Sequence, residues 1–250
     1  MTEPLHITEH GDGVSVLCLR RAPVNALNPA FMDQINRDLE ALAADPSVRA
    51  LVLGSPFKVF SAGLDLKEMA DYGPAEETAI VDSLNRTFLA LYEFPKPLVV
   101  AVNGAAIAGG LFFPLAADHT VSVESAKFGL SEVRVGASFP VSPMEIARAE
   151  LTPAGLRTLM LRGRPVEAAR AMDFGIVDEI VEPEDLLDRA TDAAHDLASA
   201  PAATYAAIKR QIRGDTIDRM RLAAAEGSDP TRAGWFTEDT RAAMAAALTR

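Results

Sequence analysis

Residues 98–110, LVVAVNGAAIAGG, decide the fold class that we assign to this chain of 250 residues. The apolar run Leu98–Val102 predicts a buried β-strand, and the glycine-bearing remainder leads directly into the apolar segment LFFPLAAD. Comparable strands are predicted at Val14–Leu19, Arg49–Leu53 and Thr120–Glu124. Helical patterns lie between these strands, and this alternation is typical of an α/β protein with a parallel sheet.

Two helices separate the predicted strands. The first begins after Asn28, a residue that favours the N-cap position, and it ends at Asp45, which precedes a proline. The second spans roughly residues 76–93 and keeps its apolar side chains on one face. After about residue 142 the pattern becomes mostly helical, with one more short strand predicted at Gly175–Val181.

The C-terminal part of the chain is helical and rich in alanine, with breaks predicted at Pro201, Gly214 and Gly227–Pro230. Helices with so little apolar bulk bury best against another surface, so we expect them to take part in subunit packing. The predicted organisation is therefore a core over residues 1–194 and a helical oligomerisation region over residues 195–250.

Composition narrows the class of function. Lysine and arginine number 24 against 35 acidic residues, so the formal net charge is −11, which argues against a nucleic-acid partner. The single cysteine, Cys18, excludes an intrachain disulfide, and the four histidines lack the spacing of metal ligands. No apolar run approaches the ~18 residues of a membrane helix, and no signal-peptide core begins the sequence. We therefore expect a cytoplasmic protein with no membrane partner and no metal.

Two glycine-bearing loops are candidates for a binding site. The first is VFSAGLDLKEM, Val59–Met69, and the second is AVNGAAIAGG, which ends at Gly109 and Gly110. Glycines at the start of a helix let a ligand approach unpaired backbone N–H groups and the positive end of the helix dipole, which favours an anion or an oxyanion. The alternative is that both loops are tight turns that bind nothing.

One carboxylate stands out because its neighbours are apolar. Glu132 lies in AKFGLSEVRVG between Leu130 and Val133. An isolated carboxylate in apolar surroundings is costly unless it is paired or functional. The alternatives are a solvated loop residue and an ion pair with Arg134, two positions further along.

The combination of these segments resembles the crotonase superfamily, also called the enoyl-CoA hydratase/isomerase superfamily. SAGLDLKEM, AVNGAAIAGG and FGLSE occur in the family's order, with 45 residues from Leu64 to Gly109 and 23 from Gly109 to Glu132. The likeness extends from PVNALN near the start to GRPVEAARAMDFGIVDEIV, which ends at Val181. The resemblance implies an α/β crotonase-like (ClpP/crotonase) fold. In that fold a ββα spiral builds two nearly perpendicular sheets, and a helical C-terminal region mediates trimerisation.

The resemblance also implies a site for an acyl-CoA thioester. In this family two backbone N–H groups form an oxyanion hole for the thioester carbonyl, and by position these belong to Leu64 and Gly109. No cofactor is implied, because coenzyme A is part of the substrate, and the implied assembly is a homotrimer or a dimer of trimers. The residues carried over as acyl-CoA contacts are Ala62, Asp65, Leu66, Lys67, Phe112 and Ser131.

The sequence departs from the hydratase pattern at one position. Typical hydratases of the family hold water with two glutamates, and the position of the first is Phe112 in this chain, whereas Glu132 occupies the second. Phenylalanine cannot accept a proton, so a single carboxylate remains, which suits proton transfer between two carbons. This feature and the C-terminal segment GWFTEDTRAAMAAAL resemble the mitochondrial-type Δ3,Δ2-enoyl-CoA isomerase (dodecenoyl-CoA isomerase) branch.

The leading prediction is a Δ3,Δ2-enoyl-CoA isomerase of fatty-acid β-oxidation in which Glu132 carries the proton. The alternatives are a 2-enoyl-CoA hydratase working with one carboxylate and another crotonase-type reaction, such as thioester hydrolysis or decarboxylation. A protein that binds acyl-CoA without catalysis is the non-enzymatic alternative, and the retention of Glu132 argues against it.

Overall fold

The strands form two sheets in the computed structural model, which describes residues 5–232 and 234–248. The larger sheet has the strand order β1-β2-β3-β5-β7-β10, and the smaller has the order β4-β6-β8-β9. The strands are β1 Leu5–Glu9, β2 Val14–Leu19, β3 Ala50–Gly54, β4 Val59–Ser61, β5 Leu98–Val102, β6 Ala105–Ile107, β7 His119–Val123, β8 Lys127–Gly129, β9 Val166–Glu167 and β10 Glu179–Val181.

Helices follow the strands in a regular order. They are α1 Pro29–Ala44, α2 Leu66–Met69, α3 Pro74–Tyr92, α4 Phe112–Ala116, α5 Val141–Glu150, α6 Pro153–Leu156, α7 Ala168–Asp173, α8 Leu186–Ala198, α9 Ala202–Glu226 and α10 Glu238–Leu248. Among these described helices, none combines the length and the apolar character that crossing a membrane requires.

The chain winds as a spiral in which each turn supplies one strand to each sheet and then a helix. The strands β3 and β4 precede α3, β5 and β6 precede α4, and β7 and β8 precede α5. Pairing between successive turns is parallel, with Leu51 opposite Leu98 and Val99 opposite His119. This arrangement confirms the predicted α/β class with its ββα repeat.

The central strands of the larger sheet are buried on both faces, as expected for parallel strands covered by helices, whereas the edge strands β1 and β10 are mostly exposed or half-buried. All five residues of β3 and all five of β5 are buried. The helix α1 begins where its cap predicts, because the Asn28 side chain accepts a hydrogen bond from the N–H of Phe31 at 2.8 Å. The strands predicted from apolar runs are therefore confirmed, with boundaries that match or shift by one residue.

Three details differ from the prediction. The helix α9 runs without a break through Gly214, because a glycine inside a helix costs only about 1 kcal/mol and packing outweighs it. The strand predicted within residues 175–181 is reduced to Glu179–Val181. Strands β1, β4, β6, β8 and β9 were absent from the prediction. All of them except β1 have only two or three residues, and such short strands depend on partners that are distant in sequence.

A buried group of charges anchors α9 to the core. Asp118 accepts from Lys209 Nζ at 2.7 Å and lies 3.2 Å from Arg213 Nη2, and all three side chains are at least nine-tenths buried. The Arg213 guanidinium also stacks over the ring of Tyr92 at 4.4 Å. Burial lowers the pKa of Lys209 to about 8, an effect that the Asp118 charge opposes. The helix α9 is thus fixed by a paired charge cluster together with the buried apolar side chains of Ile217 and Met220.

Candidate active site

The first glycine loop follows β4 and turns at Gly63, where the backbone is left-handed, with φ +79°. A Cβ atom at Gly63 would lie 2.8 Å from the Cβ of Ala108 and 2.9 Å from the carbonyl oxygen of Ile107. Glycine is therefore required both by conformation and by space. The contact brings the first loop directly against the second.

The second loop leaves β6 and enters a 3₁₀ turn, Ala108–Leu111, that continues into α4. Ala108 adopts a left-handed φ of +50°, which is costly for a residue with a side chain and is typical of functional loops. A Cβ atom at Gly110 would lie 2.4 Å from the carbonyl oxygen of Ser61. The two loops therefore pack backbone against backbone, with no space for side chains between them.

The loops leave two backbone N–H groups available to a ligand. Leu27 N donates to Gly63 O at 2.7 Å and Asp65 N donates to Leu27 O at 2.9 Å, so this parallel bridge uses the groups on either side of Leu64. The N–H of Leu64 itself therefore faces away from Leu27. The N–H of Gly109 lies in the first turn of its 3₁₀ helix, where amide groups have no partner within the helix.

Both loops line an apolar cavity of about 120 Å³. Helix α3, the segment 131–143 and the C-terminal segment 235–244 complete its walls. Its lining residues from the two loops and helices α3 and α4 are Ala62, Leu64, Leu66, Met69, Leu84, Phe88, Ile107, Ala108, Gly109 and Phe112. Those from later in the chain are Ser131, Glu132, Val135, Ala137, Ser138, Phe139, Pro140, Pro143, Trp235, Phe236, Thr240 and Met244.

Within the described ranges, Glu132 is the only ionisable side chain that lines this cavity. It opens a 3₁₀ turn, Glu132–Val135, and although the residue as a whole is half-buried, its Oε2 atom is buried without a hydrogen-bond partner. Burial raises the pKa of Glu132 from its ordinary value of 4.5 to about 8. A carboxylate with such a pKa can accept a proton and return it near neutral pH.

The enoyl-CoA hydratase/isomerase family model matches residues 9–231 of this chain. The chain belongs to the enoyl-CoA hydratase/isomerase family. This family is the crotonase superfamily whose fold the sequence predicted, so the predicted fold and family are both confirmed.

Relatives in this family carry more than one kind of name. The chain is 38% identical to a putative enoyl-CoA hydratase of Thermus thermophilus over 177 residues, 70% of each chain. It is 30% identical to a carnitinyl-CoA dehydratase of Citrobacter koseri over 221 residues, 85% of this chain and 81% of that one. The crystal structure of human mitochondrial Δ3-Δ2-enoyl-CoA isomerase superposes with a TM-score of 0.91 at 28% identity, covering 99% of this chain and 98% of that one.

The position that holds a glutamate in typical hydratases of the family is occupied here by Phe112. Its ring packs with those of Phe88 and Phe139 and forms an aromatic wall of the cavity. Phe112 is 1% exposed, with its ring centroid 5.3 Å from that of Phe88 and 6.2 Å from that of Phe139. Trp235 and Phe236 stack on each other at 5.1 Å at another part of the cavity. These rings line the same cavity as the single carboxylate, and none of them carries a second carboxylate to hold water.

The suggested ion pair between Glu132 and Arg134 is not formed. The Arg134 side chain donates to two backbone carbonyls instead, Gly163 O from Nε at 2.8 Å and Arg162 O from Nη2 at 2.7 Å. A 3₁₀ turn has three residues per turn, so side chains two positions apart point to different sides of it. Glu132 therefore enters the cavity while Arg134 binds a different part of the chain.

Two other carboxylates of the first loop are held outside the cavity. Asp65 accepts from Arg21 Nη2 at 2.8 Å, and Glu68 accepts from Asn28 at 2.7 Å and from the hydroxyl of Tyr72 at 2.8 Å. Partial burial acts to raise the pKa of Asp65, but the hydrogen bonds from Arg21 and from backbone N–H groups of α2 lower it overall. Both carboxylates serve to fix the loop.

The structure brings together most of the residues predicted to bind acyl-CoA. Lys67 is exposed, and neither it nor Asp65 lines the cavity, so their contacts with a coenzyme A moiety outside the cavity stay predictions. Within the described residues, no group of three or more His, Cys, Asp or Glu side chains could hold a metal. The residues that do line the cavity are Ala62, Leu64, Leu66, Gly109, Phe112, Ser131 and Glu132.

Sequence reasoning missed how far the C-terminal segment enters the site. Thr240 and Met244 of α10 line the cavity, and Thr240 Oγ1 donates to Gly136 O at 2.8 Å, next to the turn that carries Glu132. The indole N–H of Trp235 donates to Ser138 O at 2.8 Å. The signals in the sequence were the resemblance of GWFTEDTRAAMAAAL to the isomerase branch and its aromatic pair, and such a pair is equally common in plain helix packing.

Proposed function

We propose that this protein is a Δ3,Δ2-enoyl-CoA isomerase that acts on fatty acyl-CoA thioesters in β-oxidation. The observation that carries the proposal is that one carboxylate, Glu132, faces a cavity with otherwise apolar or hydroxyl side chains. Phe112 stands at the position of the first of the two water-holding glutamates that a typical hydratase of this family carries. One base without a partner suits the movement of a proton, and the aromatic wall disfavours the addition of water.

The reaction begins when the Glu132 carboxylate removes a proton from C2 of a 3-enoyl-CoA. The electron pair of that C–H bond is delocalised in a dienolate, whose negative charge is shared with the thioester oxygen. The C2=C3 double bond forms when this dienolate is protonated at C4. Glutamic acid then returns the proton to C4 as the old C3=C4 double bond opens. No atom is gained or lost and the substrate is neither oxidised nor reduced overall, so the step needs no flavin or nicotinamide, and in this proposal backbone N–H groups stabilise the charge on the thioester oxygen.

The backbone N–H groups of Leu64 and Gly109 act as the oxyanion hole in this proposal. They donate to the thioester oxygen as its charge develops, and each donor of this kind is worth roughly 3–4 kcal/mol in comparable acyl-transfer reactions. The contact between Gly63 and Ala108 supports this role, because it fixes the two donors relative to each other before substrate binds.

The raised pKa of Glu132 fits a base that both takes and returns a proton. A carboxylate of ordinary pKa would accept a proton from carbon too weakly, whereas one with a pKa of about 8 is matched to neutral solution. The similarity to the human isomerase over nearly the whole chain supports the same reaction class.

A 2-enoyl-CoA hydratase that works with one carboxylate is the second candidate. It is favoured by the name of the Thermus relative, which shares more identity with this chain than the human isomerase does. The two candidates differ in substrate, since a hydratase acts on a 2-enoyl-CoA that the isomerase only produces.

The deciding experiment offers purified protein a 3-enoyl-CoA and, separately, a 2-enoyl-CoA. We expect conjugation of the first and little hydration of the second, and we expect Glu132→Gln to lose conjugation by ~10²–10⁴-fold while still binding acyl-CoA. The matched control is Glu40→Gln, which removes an exposed carboxylate of α1. Fast hydration of the 2-enoyl-CoA would replace this proposal with the hydratase, and binding without turnover would replace it with a non-catalytic role.

A further inference from the structure

The turn that carries Glu132 has few attachments of its own. It spans only Glu132–Val135, and Ser131, at its N-cap, makes no side-chain capping bond. At its end Gly136 is left-handed, with φ +68°, and its carbonyl accepts from Thr240. A single 3₁₀ turn has little stability in isolation, so its position depends on bonds to other parts of the chain.

Arg134 supplies the attachment at the other side of this turn. Its Nε and Nη2 atoms donate to the neighbouring carbonyls of Gly163 and Arg162 at 2.8 and 2.7 Å. The planar guanidinium matches two adjacent acceptors in a way that a single ammonium group cannot. One side chain therefore fixes both the distance and the orientation between the Glu132 turn and residues 162–163.

The acceptor side is closely packed at Gly163. Gly163 has φ +58°, and a Cβ atom there would lie 2.8 Å from Val133 Cγ1 and 2.9 Å from Arg134 Cγ. A π-helical turn, Arg157–Leu161, precedes it and closes with a bond from Arg162 N to Arg157 O at 3.2 Å. π-helical turns are rare in proteins overall, and those that occur are often found near functional sites.

We propose that Arg134 is a positioning residue for the base: it holds the Glu132 turn against residues 162–163, so that the carboxylate stays inside the cavity. The inference rests on the proposed role of Glu132 in proton transfer. Arg134 acts through the backbone rather than by its charge, because its guanidinium is bound to carbonyls and Glu132 Oε2 has no hydrogen-bond partner among the described residues.

The test compares wild type with Arg134→Gln in the isomerisation of a 3-enoyl-CoA. Loss of the two bonds lets the turn shift, and a misplacement of about 1 Å costs up to ~10²-fold in rate, so we expect kcat to fall ~10- to 100-fold. The KM should change less than kcat, because the loops of Leu64 and Gly109 and most of the cavity wall are untouched, and only the lining residues Ser131, Glu132 and Val135 move with the turn.

The pH profile separates positioning from an electrostatic role. A loosened turn exposes the carboxylate to water, so the pKa of Glu132 should fall from about 8 toward 4.5 and the rising limb of kcat/KM should move to lower pH. If Arg134 acted on the base by its positive charge, its removal would raise the pKa and move that limb to higher pH. Glu132 is the only ionisable side chain lining the cavity in the described residues, so the limb reports this group.

Two further variants keep the test specific. Arg134→Lys retains the charge and one donor group but lacks the planar fork, so we expect a kcat between those of wild type and Arg134→Gln. Arg37→Gln removes an exposed arginine of α1 that donates to Gln34, and it should leave kcat unchanged. Size-exclusion chromatography and thermal denaturation of each variant report assembly and folding.

The proposal is overturned by a kcat within about twofold of wild type in Arg134→Gln. A loss of kcat with an unchanged pH profile also overturns it. So does a loss of kcat that is accompanied by a change in the assembly state of the variant. If wild type does not isomerise a 3-enoyl-CoA at all, the proposed function fails separately. The position of Glu132 is then tested by ¹³C NMR of labelled glutamate, in which its pKa should still be lower in Arg134→Gln than in wild type.

Discussion

A single carboxylate, Glu132, sets the chemistry and the pH response of this protein. Its pKa in the folded protein, about 8, lies above its ordinary value of 4.5, so the folded state holds the proton more tightly than the unfolded state. The stability that this provides is fully present below pH 4.5 and is lost as pH rises through 8. Burial is therefore tolerated at neutral pH mainly because the group is protonated.

The first prediction follows from that linkage. Glu132→Gln removes the ionisation, so the variant should gain stability relative to wild type as pH rises from 5 to 8.5, by on the order of 3 kcal/mol. Denaturant unfolding of both proteins at several pH values measures the difference. A difference that stays constant with pH would show that the Glu132 carboxyl has an ordinary pKa.

The second prediction concerns Phe112, which shapes the cavity without moving protons. Phe112→Ala should retain appreciable isomerase activity but lose roughly 3–5 kcal/mol of stability, because the side chain is buried among other rings. Phe94→Ala is the matched control, since Phe94 is also buried but does not line the cavity. Loss of activity in Phe112→Ala with an unchanged melting temperature would assign Phe112 a direct role in catalysis.

At the scale of elements, the site depends on two loops that touch through their backbones. The loop after β4 and the turn before α4 come from different turns of the spiral, and Gly63 and Gly110 allow them to meet. The strand pairing of β4 with β6 holds the loops side by side. The spacing between the N–H groups of Leu64 and Gly109 is therefore set by the smaller sheet.

The third prediction tests this contact. In Gly63→Ala the new methyl group would lie 2.8 Å from Ala108 Cβ, and the alanine would have to adopt a left-handed backbone conformation. The loops must therefore separate. We expect kcat to fall by ~10²-fold, as when one oxyanion donor is lost, with a loss of stability of about 1–3 kcal/mol. Gly54→Ala is the control, because no atom lies within 4 Å of its added Cβ. Equal activity of the two variants would argue against a role for the loop contact.

At the scale of the whole molecule, α9 lies on the core with one apolar edge left uncovered. Lys209 and Arg213 face inward, whereas Ile208 and Ile212 are exposed, the latter by 76%. Two large apolar side chains that are exposed one turn apart on the same helix favour association with another surface. This distribution supports the expectation that the C-terminal helices take part in a homotrimer or a dimer of trimers.

The fourth prediction is that Ile212→Asp weakens the assembly. A charge placed in an apolar interface is costly, so the variant should dissociate at concentrations where wild type stays associated. Light scattering coupled to size-exclusion chromatography measures the mass, with Ile7→Asp on the edge strand β1 as the control, since Ile7 is also exposed. An unchanged mass for Ile212→Asp would place the subunit contacts on another surface.

Much of this protein follows from its sequence alone. Apolar runs such as Leu98–Val102 determine the buried strands, Asn28 determines where α1 begins, and the spacing of the glycine loops from Glu132 carries the family. These features are local, because a strand buried on both faces needs continuous apolar residues and a cap needs only its own neighbours. Phe112 in place of a glutamate is equally visible in the sequence.

Only the tertiary structure decided the properties that depend on distant neighbours. The pKa of Glu132 is raised because segments far apart in the chain, including Phe112 and Trp235, enclose it. Arg134, which the sequence offered as a partner for Glu132, binds carbonyls near residue 163 instead. Burial and long-range pairing are set by the packing of remote elements, and no local pattern of residue types encodes which of those elements will meet.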